Sequence, residues 1–154
     1  MSARSAPPPP PRVLVIEDGL EYSERFSRLL GAQFVFARAA SFAEAVAALE
    51  GIDALILDLD FRRTPRERLI DGAGARIHED EAAALAPVQG ILILRALRAR
   101  GVALPAVLCA DLDDGEQTAR LCEELEPLQL SPSSEGLPAL AARLRALIAD
   151  CPRA

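Results

Sequence analysis

Acidic side chains follow two short apolar segments of the chain, at the point where each segment ends. Glu17 and Asp18 follow residues 13–16, Val-Leu-Val-Ile, and Asp58 ends residues 53–58, Asp-Ala-Leu-Ile-Leu-Asp. If the two segments are adjacent parallel strands, their carboxyl ends meet at one edge of a sheet and the three carboxylates converge. Because like charges at that spacing are costly, the pattern predicts a site where a cation or a shared proton relieves the repulsion.

The basic side chains limit the chemistry of such a site. All 17 are arginine and the chain contains no lysine, so any mechanism that needs a side-chain ammonium group is excluded. The net charge of −6 and a pI near 4.9 argue against nucleic acid as a partner, since phosphate binding needs a positive face. The three cysteines, Cys109, Cys122 and Cys151, have no metal-type spacing and are odd in number, which favours a reducing compartment.

Length and composition fit one domain. A chain of 154 residues that is 51% hydrophobic and only 4% aromatic predicts a single aliphatic core. Residues 1–11 end in five consecutive prolines and predict a disordered leader before a domain at 12–150. With no signal-type segment and no apolar run near the ~20 residues that cross a bilayer, we expect a cytoplasmic protein without a membrane partner.

Apolar segments and helical patterns alternate along the domain. The predicted strands are 13–16, 34–36, 54–57, 106–109 and 128–130, and the predicted helices are 20–30, 42–49, 90–100, 114–125 and 137–149. Such alternation predicts an α/β fold, a doubly wound five-stranded parallel sheet of the flavodoxin-like (βα)5 type. Ligands of these sheets bind outside the carboxyl ends of the strands, where the acidic cluster is expected.

Residues 61–88 interrupt the alternation between the third strand and the next helix. This insertion is far longer than the ~2 to 6 residues usual for such a connection, and it carries several arginines and a short predicted helix near 80–85. Because it leaves the strand just after Asp58, it emerges at the acidic edge. A lid or partner-binding loop and a solvated insertion without a role both remain open.

The acidic ends and the order of elements resemble the receiver domain of two-component response regulators, in an atypical form, over about residues 12–148 apart from the insertion. Glu17 and Asp18 match the acidic pair after the first strand, Asp58 matches the phosphoacceptor aspartate, and Gln89-Gly90 stands where the family usually has Asp-Gly. The resemblance implies phosphoryl acceptance at Asp58, with Mg²⁺ held by Glu17, Asp18 and Asp58. It also implies a signalling protein rather than an enzyme, without an attached output domain, whose partners are a histidine kinase or an effector and which could form a homodimer.

The departures from the family pattern are equally specific. Ser131 stands where the family has the lysine that adds positive charge beside the acyl phosphate. The hydroxyl residue after the fourth strand falls at Cys109 by motif or at Ala110 by counting, and neither carries a hydroxyl. The aromatic residue of the fifth strand aligns with Leu128.

We expect the first of three functions, with the second as the alternative and the third as a further one. In the first, Asp58 is phosphorylated and an arginine of the insertion, Arg62 or Arg63, supplies the missing charge, since arginine binds phosphoryl oxygens bidentately. In the second, the chain is a pseudo-receiver, a docking module that is not phosphorylated. The third is a small metal-dependent phosphatase or phosphotransferase with Asp60 as general acid, which the missing lysine disfavours; we expect Asp60 to pair with the arginines instead. By resemblance, the contact surface for partners lies at about residues 114–149.

Overall fold

The computed structural model describes residues 5–151 of the chain. Five parallel strands form one sheet in the order β2-β1-β3-β4-β5, which confirms the predicted doubly wound architecture. The strands are β1 Arg12–Ile16, β2 Val35–Ala39, β3 Ala54–Asp58, β4 Ala106–Cys109 and β5 Leu128–Ser131. The α-helices are α1 Glu21–Leu30, α2 Phe42–Ala47, α3 Ala82–Leu85, α4 Gln89–Ala99, α5 Gly115–Glu124 and α6 Leu137–Asp150.

The central strands are apolar on both faces because helices cover both sides of the sheet. Alternate residues of β1 and β3 point to opposite faces and so belong to two separate half-cores. Val13 and Ile56 pack with α1 and α6, whereas Leu14 and Leu57 pack with α2 and α4. The carboxyl ends of all five strands, and the acidic residues that follow them, therefore lie at one edge between two helical layers.

Two predicted elements differ from the structure by two or more residues at one end. The second strand was predicted at 34–36, but β2 covers Val35–Ala39, since the backbone N–H of Phe34 donates to the carbonyl of Leu30 at the end of α1. The later half of the strand contains a part-buried arginine, Arg38. A search for apolar runs therefore ended the strand too early. The second helix ends at Ala47 rather than at 49.

The insertion is part of the folded core. Phe61 is 0% exposed, and Leu69, Ile70 and Ile77 are buried in the half-core that contains α2 and α4. The side chain of Gln89 donates to the carbonyl of Ile70 and accepts from its N–H, at 3.0 and 2.9 Å. A short helix occupies Ala82–Leu85, as predicted, preceded by a 3₁₀ turn at Glu79–Glu81. The alternative of a merely solvated insertion is therefore wrong.

One helical run is longer and more apolar than the sequence indicated. Glu79–Ala99 forms 21 continuous helical residues, and its length and composition alone would allow it to span a membrane. The expectation that no such segment exists was therefore wrong. The segment was missed because polar residues such as Gln89 interrupt its run of apolar residues. Within the fold, however, Ile93, Leu94 and Leu97 of this run pack against the sheet, and core helices meet the same criterion.

Candidate functional site

Three side chains form a row across the carboxyl ends of the central strands. In the parallel pairing of β3 with β4, Asp58 is in register with Cys109, and in the pairing of β4 with β5, Cys109 is in register with Ser131. This register assigns Cys109, rather than Ala110, to the position beside the carboxylate. A carboxylate, a thiol and a hydroxyl therefore stand side by side at the predicted edge.

Glu17 is bound to the start of α1. Its side chain is almost completely buried, and its two carboxylate oxygens accept hydrogen bonds from the backbone N–H groups of Tyr22 and Ser23, at 3.1 and 2.7 Å. Burial raises the pKa of Glu17, while these hydrogen bonds and the positive charge of Arg38 oppose the increase. The carboxylate therefore serves as a cap for free N–H groups of the first helical turn.

Asp18 is bound by an arginine of the insertion. The backbone N–H and the Nη2 atom of Arg63 donate to its two carboxylate oxygens, each at 3.1 Å. The same guanidinium makes two further hydrogen bonds to Glu21, at 2.8 and 3.1 Å, and lowers the pKa of that carboxyl to about 2. The Asp18 side chain is only 4% exposed, whereas that of Arg63 is 62% exposed, so the arginine covers the carboxylate from the solvent side.

Asp58 is half-buried and lines a cleft together with Asp18 and Arg63. Its Oδ1 atom accepts from the N–H of Leu59 at 2.8 Å, and burial, together with the charges of Asp18 and Glu17, raises its pKa to about 6. The carboxylate faces an open cleft of about 260 Å³, whose lining residues are Asp18, Asp58, Asp60, Arg62 and Arg63. Burial is the larger cause of the raised pKa, and the repulsion between carboxylates gathered at one edge, which the sequence predicted, adds to it.

Asp60 is paired as expected. Its two oxygens accept from the backbone N–H and the Nε atom of Arg62, at 2.9 and 2.8 Å. The preference for arginine pairing is therefore confirmed. A general acid at this position would first have to release both contacts.

The close packing of α4 on the end of β3 explains why the second residue of α4 is a glycine, Gly90. A Cβ atom at this position would lie 1.9 Å from the carbonyl oxygen of Asp58, far inside any real contact distance, and the Gly90 N–H donates to the carbonyl of Leu59 at 3.0 Å. The helix therefore packs directly on the backbone that presents the aspartate.

Solved structures with the same architecture are receiver domains. The receiver domain of a Francisella response regulator shares 15% identity over 92% of this chain and 99% of its own, with a TM-score of 0.65. The Vibrio cholerae chemotaxis protein CheY4 shares 15% identity over 90% of this chain and 99% of its own, with a TM-score of 0.63. The receiver domain of a Syntrophus aciditrophicus histidine kinase shares 17% identity over 94% of each chain, with a TM-score of 0.62.

The chain has the receiver fold of response regulators. No protein-family model matches the sequence, and no curated protein matches it either. At such low identity the similarity establishes the fold alone. The activity has to be inferred from the residues at the site.

The carboxylates of this receiver fold, as arranged, do not fit the Mg²⁺ site that the resemblance implies. Both oxygens of Glu17 are taken by α1 and both oxygens of Asp18 by Arg63. Across residues 5–151, no group of three or more His, Cys, Asp or Glu side chains is placed to hold a metal ion. The family's ion would require these side chains to exchange their present partners.

The loops that follow β4 and β5 are tied together. Asp111 accepts from the backbone N–H of Ser133 at 2.9 Å and from its hydroxyl at 2.5 Å, and these bonds lower the pKa of Asp111. The next helix, α5, is capped by Asp114, which accepts from the N–H groups of Glu116 and Gln117. Asp111 therefore serves the contact between the two loops and not the helix cap.

Other candidates have ordinary surroundings. His78 is exposed, and its backbone N–H donates to Glu81 at 2.9 Å. Burial, and then the charge of Asp58, raise the pKa of Cys109 to about 12, which agrees with a structural rather than a reactive thiol.

Sequence reasoning missed Tyr22 and Ser133 near the site. Burial, and then the charge of Asp58, raise the pKa of the Tyr22 phenol to about 12. Tyr22 lies in the first turn of α1, four residues after Asp18. This position could have predicted that the phenol lies near the acidic pair. The pairing of Ser133 with Asp111 left no signal, because it depends on how two loops approach each other.

Proposed function

We propose that this chain is a receiver-like signalling module that acts through contact with other proteins, and whose state does not depend on phosphorylation of Asp58. The observation that carries the proposal is the row of in-register residues, in which Cys109 stands beside Asp58 and Ser131 stands beside Cys109. Receiver domains that accept a phosphoryl group have a hydroxyl residue at the position of Cys109 and a lysine at that of Ser131. Cys109 lacks the hydroxyl that binds the phosphoryl group, and Ser131 lacks the ammonium group that neutralises it.

Electrostatics supports the same conclusion. A phosphoryl group on Asp58 would bring additional negative charge to a place where burial, and then the charges of Asp18 and Glu17, already raise the pKa of that carboxyl to about 6. Phosphoryl transfer depends on cationic groups arranged around the transferred oxygens. Among the described residues, the cations beside Asp58 are Arg62 and Arg63, and both are engaged with carboxylates.

The parts that move in a phosphorylated receiver are also altered. The loop after β4 is fastened to the loop after β5 by Asp111 and Ser133, and the fifth strand has a buried leucine, Leu128, at the position of the usual aromatic switch. A signal would therefore enter by partner binding. We propose signalling proteins of the cytoplasm as partners, a histidine kinase or an effector, and residues 114–149 as the first surface to test; self-association into a homodimer stays a prediction.

Phosphoryl acceptance at Asp58 is the second candidate, and the cleft beside Asp58 favours it. Arg62 and Arg63 line that cleft, so either guanidinium could turn from its carboxylate to the oxygens of a phosphoryl group. In this function Glu17, Asp18 and Asp58 would exchange their present partners for Mg²⁺. An enzyme that hydrolyses phosphate monoesters has less support, because Asp60 is held by Arg62.

A phosphodonor experiment separates these functions. The protein and its Asp58→Asn variant are incubated with acetyl phosphate and Mg²⁺, beside a receiver domain known to react, and intact masses are recorded. We expect no phosphoryl adduct on this chain while the reference receiver is modified. An adduct that disappears in Asp58→Asn would establish the second candidate, and release of phosphate from a monoester would establish the hydrolase.

A further inference from the structure

We infer that Arg63 is a built-in counter-ion, which takes the place of a divalent cation at Asp18 and closes the acidic edge to metal ions. The inference concerns cation binding alone, so it holds or fails independently of whether Asp58 is ever phosphorylated.

Arg63 binds both carboxylate oxygens of Asp18. One oxygen accepts from the Arg63 backbone N–H and the other from its Nη2 atom, while Nη1 and Nη2 also donate to Glu21. These charge-assisted contacts satisfy two carboxylates with one cation. The neighbouring carboxylates accordingly raise the pKa of Arg63, which keeps the guanidinium charged.

A magnesium ion cannot share this arrangement. Mg²⁺ binds carboxylate oxygens at ~2.0–2.1 Å in near-octahedral geometry, whereas the Nη2 atom of Arg63 lies 3.1 Å from Oδ1 of Asp18 and occupies its approach. Two cations beside one carboxylate would also repel each other. Binding of the ion therefore requires the arginine to leave, and its affinity is reduced by the free energy of that exchange.

The backbone around Arg63 is ordered rather than loose. Phe61 is completely buried, its N–H donates to the carbonyl of Ala86 at 2.8 Å, and its carbonyl accepts from Thr64 at 3.0 Å, so Arg63 sits within a fixed turn. Because the backbone N–H of Arg63 also binds Asp18, the turn and the carboxylate are joined at two points.

A glycine makes room for the guanidinium. A Cβ atom at Gly19 would lie 2.3 Å from Nη2 of Arg63 and 2.0 Å from Oε2 of Glu21, so any other residue would push the pair aside. Gly19 therefore provides a second way to displace the arginine without removing its charge.

Metal titration tests the inference. Isothermal calorimetry with Mg²⁺, and line broadening of backbone amide signals with Mn²⁺, are measured for the native chain, for Arg63→Gln and for Arg66→Gln. Arg66 is the matched control, since it is an exposed arginine of the same insertion that makes no ion pair in the described part of the chain. Circular dichroism verifies folding, and Gly19→Ala replaces Arg63→Gln if that variant does not fold.

We expect Arg63→Gln to bind both ions at least about tenfold more tightly than the native chain and than Arg66→Gln, with Mn²⁺ broadening centred on Asp18 and Leu59. Equal affinity of the native chain and Arg63→Gln would overturn the inference. Lack of saturable binding in both would overturn it as well, because the arginine would then exclude nothing.

Discussion

Gly90 lies against the carbonyl oxygen of Asp58, so closely that a Cβ atom would stand 1.9 Å from that oxygen. The contact joins the first turn of α4 to the end of β3, and it fixes the backbone that carries the central carboxylate. Gly90 thus stands where the helix and the strand end need close contact.

Replacement of this glycine should be destabilising. We expect Gly90→Ala to lower the free energy of unfolding by about 1–3 kcal/mol, because a methyl group has no room beside the strand. Urea unfolding measures the change. Gly115→Ala is the control, since a Cβ atom there meets nothing within 4 Å, and it should change stability by less than about 1 kcal/mol. Equal losses in both variants would contradict the packing argument.

The charge on Asp58 should reduce stability near neutral pH. The pKa of this carboxyl is about 6 in the fold against 3.8 ordinarily, so between those values the native state binds more protons than the unfolded state, and stability falls as pH rises. We expect Asp58→Asn to be more stable than the native chain by about 1 kcal/mol at pH 7, after discounting for partial exposure, and the difference to vanish near pH 4.

Unfolding curves between pH 4 and pH 7 measure this difference. Asp113→Asn, which removes an exposed carboxylate, shows how much a change in net charge alone contributes. A native chain that is more stable than Asp58→Asn at pH 7 would contradict the account of burial and repulsion.

The thiol beside Asp58 should be the slowest of the three cysteines to react. Burial and the carboxylate raise the pKa of Cys109 to about 12, so little thiolate exists at pH 8. Peptide mapping after timed alkylation with iodoacetamide should therefore find Cys151 and Cys122 modified before Cys109. Modification of Cys109 first would show that its surroundings are less apolar than the fold indicates.

The insertion should contribute to global stability. Gln89 is buried and pairs with both backbone groups of Ile70, so Gln89→Leu leaves a buried N–H and a buried carbonyl without partners. We expect a loss of about 2–3 kcal/mol in the free energy of unfolding, with Gln117→Leu, at an exposed position, close to neutral. If Gln89→Leu unfolds like the native chain, the insertion is not part of the cooperative unit.

The sequence predicted the sheet and the central carboxylate because both follow from local patterns. β1 and β3 are apolar on both faces, and Asp58 comes directly after such a run, so strand, topology and edge could be inferred together. The second half of β2 was missed because it contains Arg38, a polar residue in a strand that was sought by its apolar residues. The Arg38 side chain has its own partner, since its Nε donates to the carbonyl of Gly19. A strand with a functional polar residue lacks the signal used to find it.

The contacts of the acidic pair could not be predicted, because each depends on distant parts of the chain or on the exact path of the backbone. Glu17 has the same residue type as a metal ligand, yet its oxygens cap α1. Asp18 meets Arg63 across 45 positions of sequence, and only the turn fixed by Phe61 brings them together. The insertion itself looked polar because its buried residues are irregularly spaced.

The most direct test of the account restores the two missing groups in the row that begins at Asp58 and also frees Asp18 for a metal ion. The native chain, a Cys109→Thr/Ser131→Lys/Arg63→Gln triple variant, and that triple variant with Asp58→Asn are incubated with acetyl phosphate and Mg²⁺, and the phosphoryl adduct is quantified by intact mass. The account predicts a measurable adduct on the triple variant, and none on the native chain or on the variant that also carries Asp58→Asn. A native chain modified at Asp58 to the same extent as the triple variant would contradict it.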